Sequence, residues 1–172
     1  RGYAGFSYAD LSALVKITKA SIHYHFPTKE QLALATLQLY RDRYTEAFGQ
    51  ICTAYTDALD RIDAYGRIYL KGHVQGVGCL CAALAVERDI LPESLRTALA
   101  GFFQEHLDWL LAVYGEGVTN DQVTSNYDPA AAAQIILSSL EGSLLVARAV
   151  DQRDGMERVL ETLRIMLCPK IH

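Results

Sequence analysis

The chain has 172 residues, 51% of them hydrophobic and 21% charged, a balance that supports a sizeable core and excludes a disordered or low-complexity chain. Its net charge of −4 is unevenly spread: residues 1–43 hold six basic and three acidic side chains, giving +3, and the remainder carries −7. A basic head on an acidic body fits local contact with phosphates and excludes general stickiness toward polyanions.

Pattern reading predicts helices nearly throughout and no strand. The opening RGYAGFSYAD lacks the apolar segment of a signal peptide. Ser7, with Asp10 three residues on, forms a capping box for a short helix with Leu11, Leu14 and Val15 on its apolar side. After a break at Lys16-Ile17, Thr18 caps a second short helix, Lys19 to about Phe26, which Pro27 stops. Thr28 and Gln31 open a long helix through Leu32, Leu34, Leu37, Leu39 and Tyr40. Further helices are predicted over roughly 57–75, 78–89 and 92–114. Gly115 to Tyr127, polar and carrying two glycines and two asparagines, predicts a loop. Asp128-Pro129 starts a helix to about Val150. Its richest apolar stretch, 135–150, is interrupted by Ser138, Ser139, Glu141, Gly142 and Arg148, which argues against a membrane span and for a cytoplasmic protein with no membrane partner. Asp154 caps the last helix, whose Met156, Val159, Leu160, Leu163, Met166 and Leu167 follow helical spacing.

Two short helices joined by a tight turn describe a helix-turn-helix, with Leu11, Leu14, Ile17, Ile22 and Phe26 expected to pack the pair together. Lys19, Ser21, His23 and Tyr24 are left to face outward, and Lys29 lies in the first turn of the next helix, where an anion is favoured. On spacing alone an ordinary helical hairpin with a solvated face fits equally well. The stretch DLSALVKITKASIHYHFPTKEQL, Asp10 to Leu32, decides between them, because it resembles the TetR repressor family without a gap. The matching features are Asp10-Leu11, Thr18-Lys19, the tetrad His23-Tyr24-His25-Phe26, Pro27, Thr28-Lys29-Glu30 and Leu32.

The resemblance implies an all-α protein. A helix-turn-helix head with the start of its connecting helix would span 1–45, and a helical ligand-binding and dimerising domain 46–172. It implies that Ser21, His23 and Tyr24 contact groove and phosphates and that Thr18 and Lys29 reach phosphates, with Ser7 and Lys19 also on the DNA side. Lys16 and Ala20 stand where the family usually has glycine, and His23 where it has tyrosine. The family's first helix is absent from the numbered chain, with Arg1-Gly2-Tyr3 resembling its end, so exposed apolar surface is expected around Tyr3, Phe6 and Leu14. The implied partners are a pseudo-palindromic double-stranded DNA operator, a second copy of the chain and an unidentified small-molecule effector, with no cofactor.

In the body, GCLCAALAVERD and Leu140-Glu141-Gly142 resemble one subgroup of sensor domains, which includes reactive-cysteine regulators. Candidate pocket residues are Tyr65, Tyr69, His73, Cys79, Phe102, Phe103, His106, Trp109, Leu110 and Glu141, a set of aromatics with a few polar tips that suits an apolar or aromatic effector. Taken singly, most of them read as plain core. Cys79 is also the candidate for an oxidant or electrophile sensor, against the alternative of a small buried hydrophobe. Without a secretory signal the four cysteines read as reduced thiols, and Cys79 and Cys81, two apart on a helix, cannot chelate one metal. Candidate dimer-interface residues are Leu137, Ser138, Gly142, Leu144, Leu145, Val159, Leu163 and Met166, where small residues permit close helix approach. No nucleophile–base pair, phosphate loop or metal motif was found, so neither catalytic residues nor a metal site is expected.

Overall fold

A computed structural model describes residues 2–76, 78–151 and 154–169. Among these residues all regular structure is helical: α1 (Tyr8–Val15), α2 (Lys19–His25), α3 (Lys29–Ala54), α4 (Ala58–Val74), α5 (Leu80–Ala85), α6 (Glu93–Thr119), α7 (Pro129–Ala149) and α8 (Gly155–Leu167), with one 3-10 turn at Arg88–Ile90. The chain forms two compact units, Arg1–Tyr44 with Leu80–Phe102, and Thr45–Cys79 with Phe103–His172. The first unit thus joins two stretches that are 35 residues apart in the sequence.

In the first unit the capping box at Ser7 forms: its Oγ accepts from Asp10 N at 3.3 Å, and the Asp10 carboxylate accepts from Ser7 N at 2.7 Å. Lys16 ends α1 in the left-handed region, φ 59° and ψ 38°, so the turn keeps a glycine-like backbone with a lysine in it. Ser12 Oγ pins that turn by donating to Ile17 O at 2.6 Å. The packing of the two short helices differs from the expected set. Ile22 is buried and Leu11 and Phe26 are half-buried, whereas Leu14 is 79% and Ile17 45% exposed. Helices of eight and seven residues share a single seam, and Tyr8 fills it. The Tyr8 hydroxyl donates to Phe26 O at 2.7 Å and its ring lies 4.5 Å from that of His23. Arg1 lies outside the described residues. Gly2 takes φ +73°, and a Cβ there would meet the Glu87 carboxylate at 2.5 Å. That carboxylate accepts from the backbone N–H groups of Tyr3 and Ala4, fastening residues 80–102 to the start of the chain. Ser94 donates to Glu30 beside it, and Phe102 stacks on Tyr40 at 5.6 Å. The helix expected over 78–89 is shorter, because the chain turns after Ala85 and Leu91, preceding Pro92, is held extended.

In the second unit α4 packs against α7 and α8, and α7 against α8. Asp57 caps α4 by accepting from Leu59 N and Asp60 N, and Asp128 caps α7 by accepting from Ala130 N and Ala131 N. Asp154 makes no cap bond and pairs instead with Arg158. Ile62, Tyr65 and Tyr69 of α4 are buried with Ile136, Leu140 and Leu144 of α7 and with Met156, Leu160 and Leu163 of α8. Gly66 gives Leu160 the room to enter. Two expectations are corrected here. Residues 115–119 continue α6 and are not loop, since Gly117 serves a close approach: a Cβ on it would stand 2.5 Å from Ala58 Cβ. And α7 is by length and composition apolar enough to cross a membrane; the polar residues within 135–150 do not break it, and Ile136, Leu140 and Leu144 on it are buried, with α4 and α8 packed against the helix.

Candidate functional site

The solvent side of α2 presents Lys19, Ser21, His23, Tyr24 and His25, all exposed, with Tyr24 at 83%. Ile22 anchors the opposite side, so a seven-residue helix is left with one face bare and charged or hydrogen-bonding. Thr18 Oγ1 caps it by accepting from Ser21 N at 3.1 Å. Three of the seven expected DNA contacts also have structural work. Thr18 is the cap, and the Ser7 hydroxyl donates to Asp10 at 2.6 Å. The Lys29 ammonium donates to Phe6 O at 2.6 Å and lies 4.9 Å and 4.4 Å from the ring centres of Tyr3 and Phe6. Lys29 therefore ties the opening segment to α3 by a cation–π contact, a role its sequence position did not suggest.

The second unit holds a chain of polar side chains, buried at His106, Tyr65 and Tyr69 and half-buried at Glu141. Tyr65 Oη lies 2.7 Å from His106 Nδ1 and 3.0 Å from Tyr69 Oη, and Tyr69 donates to Glu141 Oε1 at 3.4 Å. One member comes from α6, two from α4 at helical i, i+4 spacing, and one from α7. Burial drives His106 down to about 3, so its imidazole is neutral. Burial, with the Cys79 thiol hydrogen-bonded beside it, pushes Glu141 up to about 9, against a weaker opposing effect of the Tyr69 hydrogen bond. Glu141 Oε2 is buried without a hydrogen-bond partner. An aromatic column borders the chain: Phe48 stacks on Trp109 at 4.8 Å and 14° and stands 5.1 Å from the His106 ring, and Tyr65 lies 5.4 Å from Trp109.

Residues 1–36 match the model of the bacterial regulatory proteins of the tetR family, and residues 56–163 match the tetracyclin repressor-like C-terminal domain. The chain belongs to the TetR family. This TetR-family protein is therefore a DNA-binding transcriptional regulator of a non-enzymatic family. The HTH-type transcriptional repressor DhaR of Mycobacterium sp. (strain GP1) is 24% identical over 98% of this chain and 85% of its own length. A TetR-family regulator from Agrobacterium tumefaciens is 29% identical, with a TM-score of 0.93 over 97% of this chain and 89% of that one. AibR, solved in complex with isovaleryl coenzyme A and operator DNA, shares the fold at 21% identity and a TM-score of 0.75, over 99% of this chain and 91% of its own.

Of the expected pocket residues, the TetR-family structure brings Tyr65, Tyr69, Cys79, His106 and Glu141 together and sets Trp109 beside them. Leu110 is fully buried, while His73 and Phe103 are half-buried. Phe102 belongs to the first unit, against Tyr40 and Tyr44, and is packing there. Phe48, central to the column, escaped sequence reading because an aromatic on a long helix carries no mark of its partners. Along α7 and α8 a groove of about 610 Å³ is lined by residues that include Ser138, Gly142, Val146, Val159 and Met166. Leu137 and Leu144, expected at an interface, are buried inside the protomer, while Leu145 stays 53% exposed and Leu163 is largely buried at the groove wall.

Proposed function

We propose that this chain is a homodimeric repressor whose α2 reads a pseudo-palindromic operator and whose second unit binds a small apolar or aromatic effector that releases the DNA. The observation that carries the reading is the bare polar face of α2, held on one side by Ile22 and capped by Thr18. Helix-turn-helix dimers place two recognition helices about 34–36 Å apart in successive major grooves. An effector that favours a conformation with another spacing lowers operator affinity by population shift. A neighbour of the same fold, AibR, is seen with an acyl coenzyme A and operator DNA together, which supports the pairing of the two activities. Cys79 as an electrophile sensor is the weaker reading, since the thiol is 7% exposed and hydrogen-bonded to Glu141.

A mobility shift on the DNA upstream of the protein's own gene, at two salt concentrations, tests the head. Tyr24→Ala removes a side chain that is 83% exposed, so stability should stay within about 0.5 kcal/mol. Operator affinity should fall tenfold or more while non-specific binding keeps its salt slope. Unchanged operator affinity would remove α2 from the reading surface.

The dimer is tested at Gly142. A Cβ added there meets nothing within 4 Å in the protomer, and Gly142 lines the α7–α8 groove, so Gly142→Leu directs its side chain into open space of one chain. Where two copies pack across the α7–α8 groove the leucine clashes twice, at about 1–3 kcal/mol per site. Gel filtration should show a well-folded monomer; a dimer of native affinity places the interface elsewhere.

A further inference from the structure

The effector-binding reading of the second unit leaves open what chemistry the effector has, and the buried polar chain narrows it. We propose that Glu141 Oε2 is the polar anchor of the effector site and that the effector is an uncharged, largely apolar molecule presenting one hydroxyl or carbonyl oxygen to it. The inference rests on that reading of the second unit.

The hydrogen-bond directions lead to it. Tyr69 donates to Glu141 Oε1. With that hydroxyl hydrogen used, Tyr65 donates to Tyr69, and the Nδ1–H of a neutral His106 donates to Tyr65, the two contacts being 3.0 Å and 2.7 Å. Each link is then one donor on one acceptor, and the carboxyl proton of Glu141 falls on Oε2. That oxygen is buried and finds no protein acceptor. A buried polar atom left in this way calls for a partner from outside the chain. The last link, 3.4 Å, is the longest of the three, so the carboxyl is the least constrained member and the one able to turn toward a ligand.

Charge decides the class. The groups that bear on Glu141 are Tyr69 and Tyr65 from α4, His106 from α6 and the Cys79 thiol ahead of α5. His106 is held neutral by burial, and Arg148, two turns on along α7, reaches instead to Gly78, 3.6 Å from the place of a Cβ there, and is not among the groups that shift Glu141. An anionic ligand would be desolvated against donors with no opposing charge. A cationic ligand would first have to ionise Glu141, whose carboxyl is held up to about 9, and at neutral pH that handicap is about a hundredfold in affinity. A neutral oxygen meets the Oε2 proton at no such cost. The Phe48–Trp109 stack beside Tyr65 and His106 is the apolar surface offered to the rest of the molecule.

Trp109, the sole tryptophan of the chain, stands beside Tyr65 and reports on the site. The experiment titrates the full chain with three probes of one shape, 4-ethylphenol, 4-ethylbenzoate and 4-ethylbenzylamine, following tryptophan fluorescence from pH 6 to pH 8. The phenol is expected to bind at least tenfold tighter than the other two, with a dissociation constant that changes less than twofold across that range. Glu141→Gln, which keeps a neutral donor, should hold phenol affinity within threefold, and Glu141→Leu should lose tenfold or more. Tightest binding by the amine, with affinity rising about tenfold per pH unit as a proton is released, overturns the ligand class, as does tightest binding by the benzoate. Both outcomes leave the second unit as the effector-binding half. No fluorescence change with any probe overturns the site itself and with it the effector reading of this unit.

Discussion

Glu141→Gln should stabilise the protein at alkaline pH, by an amount on the order of 4–5 kcal/mol at pH 8. Burial and the Cys79 thiol raise the folded-state Glu141 from 4.5 to about 9. For a carboxyl raised in this way the folded state holds a proton that the unfolded chain gives up. Its stability contribution is present below pH 4.5 and is lost progressively as pH rises toward 9. His106 has the opposite sign, since burial lowers it from 6.5 to about 3. The unfolded chain takes up the proton, so stability is present above pH 6.5 and is lost as pH falls toward 3. Between 4.5 and 6.5 the two slopes cancel, one proton against one. Urea midpoints measured from pH 4 to 9 should therefore form a plateau between 4.5 and 6.5 and decline on both sides. Glutamine removes the alkaline decline and leaves the histidine slope, so the variant should gain stability up to pH 6.5 and then stay level. A native profile that is flat from pH 6.5 to 8.5, or a glutamine variant weaker than the native protein at pH 8, would show that Glu141 is not a buried neutral acid.

Local chemistry made the head legible and left the polar chain hidden. Ser7 with Asp10, Thr18, Pro27 and Asp128-Pro129 are caps and stops whose effect reaches a few residues, and each marks a helix boundary in the structure at or beside the expected place. Lys16, which stands where a glycine is usual, adopts the left-handed backbone that a glycine would have taken. Leu14, expected in the seam, is 79% exposed, because helical spacing states which side an apolar residue is on but not whether anything covers that side. Tyr65 and Tyr69 lie on one face by spacing alone, yet nothing local to them names His106, 41 residues after Tyr65, or Glu141, 72 after Tyr69. A hydrogen-bond chain across three helices is a property of packing. Glu141 stands out by family resemblance, and the structure supplies the physical reason for attention to it: a half-buried carboxyl between Tyr69 and Cys79.

The two glycines near the end of α6 should respond to alanine in opposite directions. The sequence pattern predicts loop at both, since a glycine in a polar stretch marks a turn more often than a helix. Both are helical. A Cβ on Gly115 would meet nothing within 4 Å, so Gly115→Ala gains helix propensity alone and should stabilise by about 0.5–1 kcal/mol. A Cβ on Gly117 would lie 2.5 Å from Ala58 Cβ and 3.0 Å from a Val123 methyl. Ala58 cannot turn aside: its Cβ is fixed to the backbone, it is fully buried, and its N–H donates to Gln122 at 3.0 Å beside the Asp57 cap. Relief requires that α4 and α6 move apart by more than a flexible side chain would allow. Gly117→Ala should cost about 2–3 kcal/mol, the upper part of the range for overpacking. Chemical unfolding of the two variants side by side reads the difference. In a loop both substitutions would be nearly silent, so equal and small effects would undo the helical assignment of 115–119, and a loss at Gly117 paired with a gain at Gly115 is the signature of one helix face turned to a neighbour and one turned away.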